Sequence, residues 1–434
     1  MKEDFLHYVW KFQKFDTRNV KTTNGEAIHI KKVGDHNTNS GPDFFNAKLT
    51  IGSQLWAGNV ELHLKSSDWY EHRHEEDVAY ENVILHVVWE HDTEIFRKNN
   101  TVIPTLVLEG IIASETLENY HRLFTKKHNW INCEQEFHLV DDFILKHWLE
   151  RLYVERLEAK SEVILSHLKQ CNSNWEALLF RLLCKNFGLK VNGEAFLSVA
   201  QSVDFSVVQK CCSTQKQLES LLMGQAGLLE EAKDDIYYKL LQKEYGFIKN
   251  KFRLNNSNVI RPKFFRLRPP NFPTIRLSQL ASLYSISKQL FSKLIENPSE
   301  DTSEKTIKQL YSILTISAHS YWDTHYNFGV TSEKKEKKLT KKFIDLLLIN
   351  TILPLKFCYA KTIGKEVSEE ILTLAMILVK EDNMVVEKFN KLKQVAKNAM
   401  ESQALLQLKS NYCEKAKCLE CAIGNVVLGS NFGN

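Results

Sequence analysis

The first 110 residues combine one helical pattern of apolar residues with several strand-like ones. Apolar spacing predicts an amphipathic helix from Asp4 to about Phe15 and a strand from Ala27 to Val33. Two further strands on either side of Gly52-Ser53 are predicted to form a hairpin. The near-continuous apolar run from Val83 to Trp89 is typical of a strand buried on both faces, and Thr105 to Leu108 would close the sheet.

From about residue 140 the apolar period changes to that of helices. The predicted helices are 141–168, 174–187, 216–232, 278–295, 303–320, 340–354 and 365–408. Four of the eight prolines fall within 253–276 and prevent a long helix there. We therefore predict an α+β protein: a small N-terminal α/β domain followed by a large all-α domain. The predicted bounds are 1–135 for the α/β domain, 136–250 and 278–434 for the two helical parts, and 251–277 for a basic connector.

Composition indicates an ordinary soluble protein, with 434 residues, 43% of them hydrophobic and 25% charged. No uninterrupted apolar stretch approaches the roughly 20 residues that a membrane span needs, and residues 1–4 lack the apolar region of a signal peptide. Nine cysteines, an odd number scattered along a long chain, argue against a disulfide framework. We expect a reduced, cytoplasmic protein without a membrane partner.

The charge is unevenly distributed, although the net charge is only +4. Residues 245–295 contain ten cations and no acid, so the rest of the chain is net negative. Within this segment, arginines alternate with Phe264, Phe265 and Phe272, side chains that can bind phosphate and stack on unpaired bases. We expect nucleic-acid contacts from four cations: Lys263, Arg266, Arg268 and Arg276. The alternative is a connector whose aromatic residues pin it to the core while its arginines face water.

Candidate chemistry lies on the hairpin. From Gly58 to Lys65 the residues alternate, which places Glu61, His63 and Lys65 on one face. A turn centred on Gly52 would set Asp43 across from Glu61, whereas a slip of one residue would turn Asp43 to the other face. Two carboxylates beside an imidazole and an ammonium can bind Mg²⁺ or Mn²⁺ and assist hydrolysis of a phosphodiester. The alternative is a solvated strand face.

Histidines are concentrated in the same region, with eight of the fifteen in the first 91 residues. The polar stretch from Trp69 to Asn82 is predicted to be helical, so His74 and Asp77 would share a face beside His72. These side chains are a competing site, one that would favour a transition metal over Mg²⁺. An exposed polar helix face would explain the same residues.

Near the C-terminus, Cys413, Cys418 and Cys421 form a C-x4-C-x2-C motif. This spacing brings three thiolates together, as zinc or an iron–sulfur cluster requires. A fourth ligand must come from elsewhere, and Cys133 is the first choice, before Cys358 or a histidine. The alternative is three reduced cysteines at the end of a C-terminal helix.

Pro42-Asp43, followed after 17 residues by Glu61-Leu62-His63, resembles the PD-(D/E)XK nuclease signature. The resemblance implies that Asp43 and Glu61 are metal ligands and that His63 stands where that motif has lysine. Lys65 could take the same role, and Glu3 on the first helix is a candidate further acid. The order of helix, strand, hairpin, helix and strand also resembles the nuclease core, which implies a mixed sheet with flanking helices in the N-terminal domain.

Nearly the whole chain resembles a bacterial family that carries the label domain of unknown function 2851. The resemblance rests on six features: Gly41-Pro42-Asp43-Phe44, Gly58 to His63, Ser67-Asp68-Trp69, Gly224 to Gly227, Phe265 to Pro273, and the terminal cysteines. The family label implies no activity.

Together these features favour a metal-dependent nuclease or nuclease-like protein. A non-catalytic nucleic-acid-binding or scaffold protein is the alternative, and a structural protein with a metal-stapled tail is the third possibility.

Overall fold

A computed structural model describes residues 1–125, 129–295 and 302–429. The described chain forms two compact units. The α/β unit comprises residues 1–148 and 409–429, and the helical unit comprises Leu149–Leu408. This division differs from the predicted bounds, which placed the C-terminal residues in the second helical part.

A six-stranded mixed sheet forms the centre of the α/β unit. Its strands are β1 (Ile28–Lys32), β2 (Asp35–His36), β3 (Phe44–Ile51), β4 (Gln54–Lys65), β5 (Val83–Glu90) and β6 (Thr105–Val107). The order is β1-β3-β4-β5-β6, with β2 also paired to β3. Strands β1, β3 and β4 form an antiparallel meander, whereas β5 is parallel to β4 and to β6. The predicted mixed sheet is thus confirmed.

Helices make up most of the remaining described chain. In chain order they are α1 (Glu3–Lys11), α2 (Asp68–Glu71), α3 (Ser114–Thr125), α4 (Asp142–Lys169), α5 (Trp175–Phe187), α6 (Leu189–Gln201), α7 (Phe205–Cys211), α8 (Gln215–Gln225), α9 (Ile236–Phe252), α10 (Pro273–Ile286), α11 (Leu290–Ile295), α12 (Ser303–Leu314), α13 (Lys341–Leu347), α14 (Leu353–Thr362), α15 (Ser368–Ile377), α16 (Met384–Leu392), α17 (Ala399–Gln407) and α18 (Ala422–Gly429).

Helix α1 packs against β4 and positions the N-terminal residues beside the hairpin. Its apolar side chains Phe5, Leu6, Val9 and Trp10 are fully buried. The middle of β5 is buried on both faces, as its apolar run predicted. The stretch predicted as a helix over 69–82 is instead a single helical turn, α2, followed by turns and the short 3-10 segment Val78–Tyr80.

Local capping explains where the predicted long helices of the helical unit break. The helix predicted over 365–408 is three helices, because Asn383 and Asn398 each accept a backbone N–H and start a new one. The helix predicted over 278–295 begins earlier, at Pro273, since proline fits the first helical position, and ends at Ile286. Helices α6, α7 and α9 were not predicted.

The helical unit also contains a two-stranded hairpin, β7 (His325–Asn327) with β8 (Val330–Thr331), so it is mostly rather than entirely helical. Among the described residues, one helical stretch, Lys341–Thr362, is long and apolar enough to cross a membrane by length and composition. Its apolar window is 83% buried inside the protein, as in the core helix of a soluble protein.

Candidate metal centre on the β3–β4 hairpin

The register of the hairpin is set first by its turn. Ile51 pairs with Gln54 across the two-residue turn, and the same register continues to Ala47 opposite Gly58. Extended without interruption, this register would bring Asp43 opposite Leu62. Asp43 would then lie on the face away from Glu61.

A β-bulge between Phe44 and Ala47 corrects the register by one residue. Asn46, within the bulge, has a left-handed backbone with φ +57°, which asparagine tolerates better than most residues. Beyond the bulge, Phe44 pairs with Val60. Asp43 therefore faces Glu61, as predicted, although the turn alone would not have placed it there.

Two reciprocal hydrogen bonds fix the carboxylates. The backbone N–H of Asp43 donates to Glu61 Oε2 at 3.0 Å, and the backbone N–H of Leu62 donates to Asp43 Oδ2 at 2.9 Å. Glu61 Oε1 lies 3.6 Å from His63 Nε2 and 3.4 Å from His74 Nε2. Each carboxylate thus uses one oxygen to bind the opposite strand, and the second oxygen of Glu61 faces imidazole nitrogens.

Histidines from three segments extend this cluster. His63 Nδ1 lies 2.8 Å from Nε2 of His86, which is fully buried on β5. The other ring nitrogen of His63, Nε2, lies 3.2 Å from His72 Nδ1. One nitrogen each of His63, His72 and His74 falls within 4.8 Å of the others, a spacing that could hold a metal ion. His86 fixes the orientation of His63 from behind, as an outer partner of a metal-binding histidine does.

The first helix adds a further histidine and an acid. His7 Nε2 lies 3.2 Å from Asp43 Oδ2. Burial alone would lower the pKa of His7, but the hydrogen bond and charge of Asp43 raise it above its usual value. Burial, followed by the charge of Asp43, raises the pKa of Glu3, which lies four residues before His7 on α1. Glu3, the candidate further acid, is thus close enough to Asp43 and His7 for their charges to affect its pKa.

Within the cluster, the pKa of the Glu61 carboxyl group is raised, whereas the pKa values of two imidazoles are lowered. Burial, reinforced by the charge of Asp43, raises the pKa of Glu61 to about 9. Burial and the neighbouring histidines lower the pKa of His63 to about 3 and that of His74 to about 4. Neutral imidazoles have a free lone pair, which is the form that binds metals. A bound cation would offset the repulsion between the two adjacent carboxyl groups.

Lys65 lies at the exposed end of β4, where its Nζ is 3.5 Å from Glu90 Oε2. Asp77, considered together with His74, accepts a hydrogen bond from the backbone N–H of Ala79 and caps the short 3-10 segment. These contacts give both residues structural partners at the edge of the site.

A cavity of about 280 Å³ opens beside the histidines. It is lined in part by Trp69, His74, Tyr80 and Arg97. The rings of His74 and Tyr80 stack with centroids 3.8 Å apart, so the cavity begins at a member of the cluster. Its wall also carries three acids, Glu75, Asp77 and Glu81, besides the cations Arg97 and Lys98, so its charge favours neither an anionic nor a cationic ligand.

The sequence analysis did not predict that four histidines belong to the same cluster as Asp43 and Glu61. They are His7, His72, His74 and His86. Two signals were available in the sequence. Glu3 and His7 are four residues apart on a predicted helix and therefore share a face. His86 is the one polar residue within the apolar run of β5, and it lies opposite Glu61 in the parallel pairing of β4 and β5.

The basic segment of the helical unit is irregular between α9 and α10 and remains partly exposed. Lys263, Arg266 and Arg268 are exposed, and within the described ranges they form no ion pair. The ring of Phe265 is 77% exposed and lies 5.3 Å from the Arg266 guanidinium. By contrast, Arg261 forms a two-point ion pair with Glu230, each contact being 2.7 Å long.

Arg276, predicted to contact nucleic acid, is instead buried within the helical unit with 6% exposure. Its guanidinium donates to Gln279 at 2.9 Å and to Asn271 at 2.6 Å, and it lies 3.6 Å from the centre of the Phe343 ring. Because this arginine belongs to the first turns of α10, its side chain stabilises the packing of that helix.

The four predicted thiol ligands all lie in the α/β unit. Cys133, Cys418 and Cys421 are buried, and Cys413 is half-buried. Cys133 is close enough to the other three that their charges contribute to raising its pKa, after the larger effect of burial. Asn132, the residue before Cys133, lies with its Nδ2 3.5 Å from Cys418 Sγ, so this part of the chain contacts the C-terminal segment.

The protein is thus an α+β protein that carries a carboxylate–histidine cluster on the hairpin of its mixed sheet. A family profile described as Protein of unknown function (DUF2851) matches residues 3–384. The chain therefore belongs to this family. No curated protein and no solved structure matches the chain.

Proposed function

We propose that the α/β unit is a metal-dependent phosphodiesterase that cleaves nucleic acid, with Asp43 and Glu61 as ligands of a divalent metal. The observation that carries this proposal is a pair of hydrogen bonds across the bulged hairpin. In each of them a carboxylate, that of Asp43 or that of Glu61, accepts a backbone N–H from the other side of the hairpin. The charge of half-buried Asp43 acts on the buried carboxyl group of Glu61, and this repulsion is costly unless a cation or a proton lies between the two groups.

The imidazoles near the carboxylates favour Mn²⁺ over Mg²⁺. Carboxylates alone suit Mg²⁺, which retains much of its water, whereas imidazole ligands favour transition metals. Since Glu61 Oε1 faces both His63 and His74, Mn²⁺ fits this donor set better than Mg²⁺. A bound divalent metal would supply an activated water and stabilise negative charge on the phosphate.

The protein's own residues have separate roles in this proposal. His63 stands where the PD-(D/E)XK pattern has lysine, and its neutral Nε2 is a further donor to the metal in this proposal. His86 holds the other ring nitrogen and so keeps Nε2 directed at the site. His7 orients Asp43 from the side of α1. The order of helix, three-stranded meander and parallel strand also supports the likeness to that nuclease core.

We propose nucleic acid as the substrate because the helical unit has an exposed strip of cationic and aromatic side chains. Arg266 and Arg268 are exposed beside Phe265, so one short strip offers phosphate-binding and base-stacking groups. Contacts of this kind do not depend on base sequence and suit a single-stranded region.

A cleavage assay tests the proposal. The purified full chain is incubated with end-labelled single- and double-stranded DNA and RNA, in Mn²⁺, Mg²⁺ or EDTA. We expect cleavage with Mn²⁺, and a loss of at least about 100-fold in Asp43→Asn and Glu61→Gln, since each removes a metal ligand. Asp35→Asn is the matched control, because Asp35 is an exposed carboxylate of the same unit that pairs with Lys32.

Metal binding is measured separately, by electron paramagnetic resonance of Mn²⁺. Weakened Mn²⁺ binding in Asp43→Asn and Glu61→Gln, but not in Asp35→Asn, would support the site. If cleavage by the two variants equals that of the wild type, the assigned active site is wrong. Mn²⁺ binding without cleavage of any of the four substrates would contradict the nuclease activity but not the metal site.

A further inference from the structure

Three histidines beside the carboxylates are spaced to hold a metal ion of their own. One ring nitrogen each of His63, His72 and His74 lies within 4.8 Å of the other two. Among the described residues, this is the one group of three or more histidine, cysteine or acidic side chains with such a spacing. The proposed activity uses only His63 of the three, so the roles of His72 and His74 need a separate explanation.

We propose that His63, His72 and His74 bind a zinc ion, with the carboxylate of Glu61 as the fourth ligand. Imidazole nitrogens suit zinc, and zinc sites also accept carboxylate oxygens. Since Glu61 and His63 are ligands of the proposed Mn²⁺ ion as well, the two ions exclude each other. Only this competition rests on the proposed function, because zinc binding itself does not depend on whether the protein cleaves nucleic acid.

The separations between the donor atoms match a tetrahedral zinc site. With zinc–nitrogen bonds of about 2.0–2.1 Å, two tetrahedral ligand atoms lie about 3.3–3.4 Å apart. His63 Nε2 lies 3.2 Å from His72 Nδ1. Glu61 Oε1 lies 3.6 Å from His63 Nε2 and 3.4 Å from His74 Nε2. These three pairs of donor atoms are thus within about 0.3 Å of the spacing that zinc requires.

The turn after α2 places two of these histidines beside the third. His72 directly follows the last residue of α2, and the next residue, Arg73, has a left-handed backbone with φ +58°. The ring centroids of His72 and His74 lie 5.4 Å apart, and they lie 5.1 and 5.2 Å from that of His63. The turn and strand β4 therefore bring all three imidazoles to one place.

Neighbouring side chains hold two of the rings in place. His63 Nδ1 lies 2.8 Å from Nε2 of buried His86, and a hydrogen donated from Nδ1 leaves the lone pair of His63 Nε2 for a metal. The His74 ring stacks on Tyr80 at 3.8 Å and meets the ring of Trp69 edge-on at 5.4 Å. Rings that are already fixed lose little freedom when they bind an ion.

Hydrogen bonding alone explains the cluster less well. Without an ion, His63 and His72 can hydrogen-bond to each other. His74 Nε2, by contrast, is buried and has no hydrogen-bond partner among the described residues. A buried ring nitrogen without a partner costs free energy, and coordination to a metal removes that cost.

The site is buried on one side and open on the other. The side chains of His63 and Glu61 are 2% and 6% exposed, whereas His72 is an exposed residue. An ion can therefore enter past His72 and then be held by buried ligands. The exposure of His72 also means that its side chain can be replaced without loss of core packing.

Titration with Co²⁺ and Zn²⁺ tests the proposal. The full chain is freed of metal with a chelator and titrated with Co²⁺, whose visible absorption reports the number of its ligands. We expect about one Co²⁺ per chain with the intense absorption of four-coordinate cobalt, which Zn²⁺ then replaces. Zn²⁺ should also release Mn²⁺ from the protein, as measured by electron paramagnetic resonance, because zinc binds such ligands more tightly than manganese does.

Substitutions identify the ligands. His72→Ala and His74→Ala should each weaken Co²⁺ binding by at least about tenfold, since loss of even an outer partner of a ligand costs about 10–100-fold. His29→Ala is the matched control, because His29 is an exposed histidine of the same unit that lies opposite Thr50, at the turn end of β3. Unchanged Co²⁺ affinity in either His72→Ala or His74→Ala would overturn the three-imidazole site.

Thermal unfolding distinguishes a lost ligand from a lost fold. Without metal, His72→Ala should unfold at the same temperature as the wild type, because His72 is exposed. Zn²⁺ should then raise the midpoint of the wild type but not that of His72→Ala, since only an ion bound to the native state stabilises it. An equal rise in both proteins would contradict the site.

Asp43→Asn separates this proposal from the proposed function. Asp43 is a ligand of the proposed Mn²⁺ ion but not of the zinc ion, so Asp43→Asn should retain Co²⁺ binding while it loses cleavage. Equal loss of Co²⁺ binding in Asp43→Asn and His72→Ala would refute the imidazole site but not the nuclease. Zinc binding as expected, in a protein that cleaves no nucleic acid, would refute the nuclease but support the imidazole site.

Discussion

Replacing Asn46 by valine tests whether the bulge in β3 determines the position of Asp43. Asn46 is exposed, so its side chain can be changed without loss of core packing. Its φ of +57° is unfavourable for a β-branched residue but open to glycine. Asn46→Gly is therefore the matched control, since both variants also lose the side-chain interaction of Asn46 with Asp35.

The magnitude follows from the backbone conformation. A left-handed conformation costs a residue with a branched Cβ about 1–2 kcal/mol. A shift of 1–2 kcal/mol changes a local equilibrium by roughly 5–30-fold. Relief of the strain by a regular ladder would place Asp43 opposite Leu62 and turn its carboxylate away from Glu61. We thus expect Asn46→Val to weaken both the end of the hairpin and the metal site.

Hydrogen exchange measured by mass spectrometry reports on this segment alone. Backbone amides of β3 and of its partner residues on β4 should exchange about 5–30-fold faster in Asn46→Val than in the wild type. In Asn46→Gly the change should be within about threefold, corresponding to a few tenths of a kcal/mol. Mn²⁺ affinity should fall in the valine variant and be retained in the glycine variant.

Equal exchange rates in the two variants would refute the role of the left-handed residue. Equal Mn²⁺ affinities combined with faster exchange in Asn46→Val would refute the link between the bulge and Asp43, while leaving the strain itself established.

Three further predictions address other parts of the chain. Burial raises the pKa of Glu219 to about 7. The contribution of Glu219 to folding stability should therefore be greatest below about pH 4.5 and fall by about 3 kcal/mol as the pH rises to 7; urea titrations should show that Glu219→Gln removes this part of the pH dependence. In Arg266→Ala/Arg268→Ala, the slope of log affinity for single-stranded nucleic acid against log salt should fall in magnitude by about 1.4, whereas Lys190→Ala, an exposed cation of the same unit, should leave it unchanged. Gly424→Ala should lower the stability of the α/β unit by about 1–3 kcal/mol through its clash with the Cys418 carbonyl, so an unchanged thermal transition would contradict the close approach of α18.

The hairpin illustrates what could be predicted from sequence. Period-two alternation from Gly58 to Lys65 correctly predicted a strand with Glu61 and His63 on one face, because side-chain direction follows from strand geometry alone. The facing of Asp43 and Glu61 was also predicted correctly, but through an incorrect turn centre. The bulge that restores the pairing depends on one backbone angle at Asn46, and such an angle leaves little trace in a pattern of apolar residues.

The histidines show where sequence reasoning ends. His7, His72 and His86 come from a helix, a turn and a strand that are distant in sequence, and only the packing of α1 and β5 on β4 brings them to Glu61. Arg276 is a second example, in which a residue predicted to be exposed is buried. A run of cations interrupted by prolines indicated an exposed strip, yet helix α10 begins at Pro273 and carries Arg276 into the core.

The return of residues 409–429 to the α/β unit has a consequence for biosynthesis. Helix α18 packs against α3, and Asn119 of α3 donates to the carbonyl of Leu428 at 3.3 Å. At about 5–20 residues per second, translation of residues 149–408 takes roughly 13–50 seconds. For that time the nascent N-terminal part exposes the apolar surface that α18 later covers, and exposed apolar surface of this kind promotes aggregation. The unit synthesised first therefore completes its packing last.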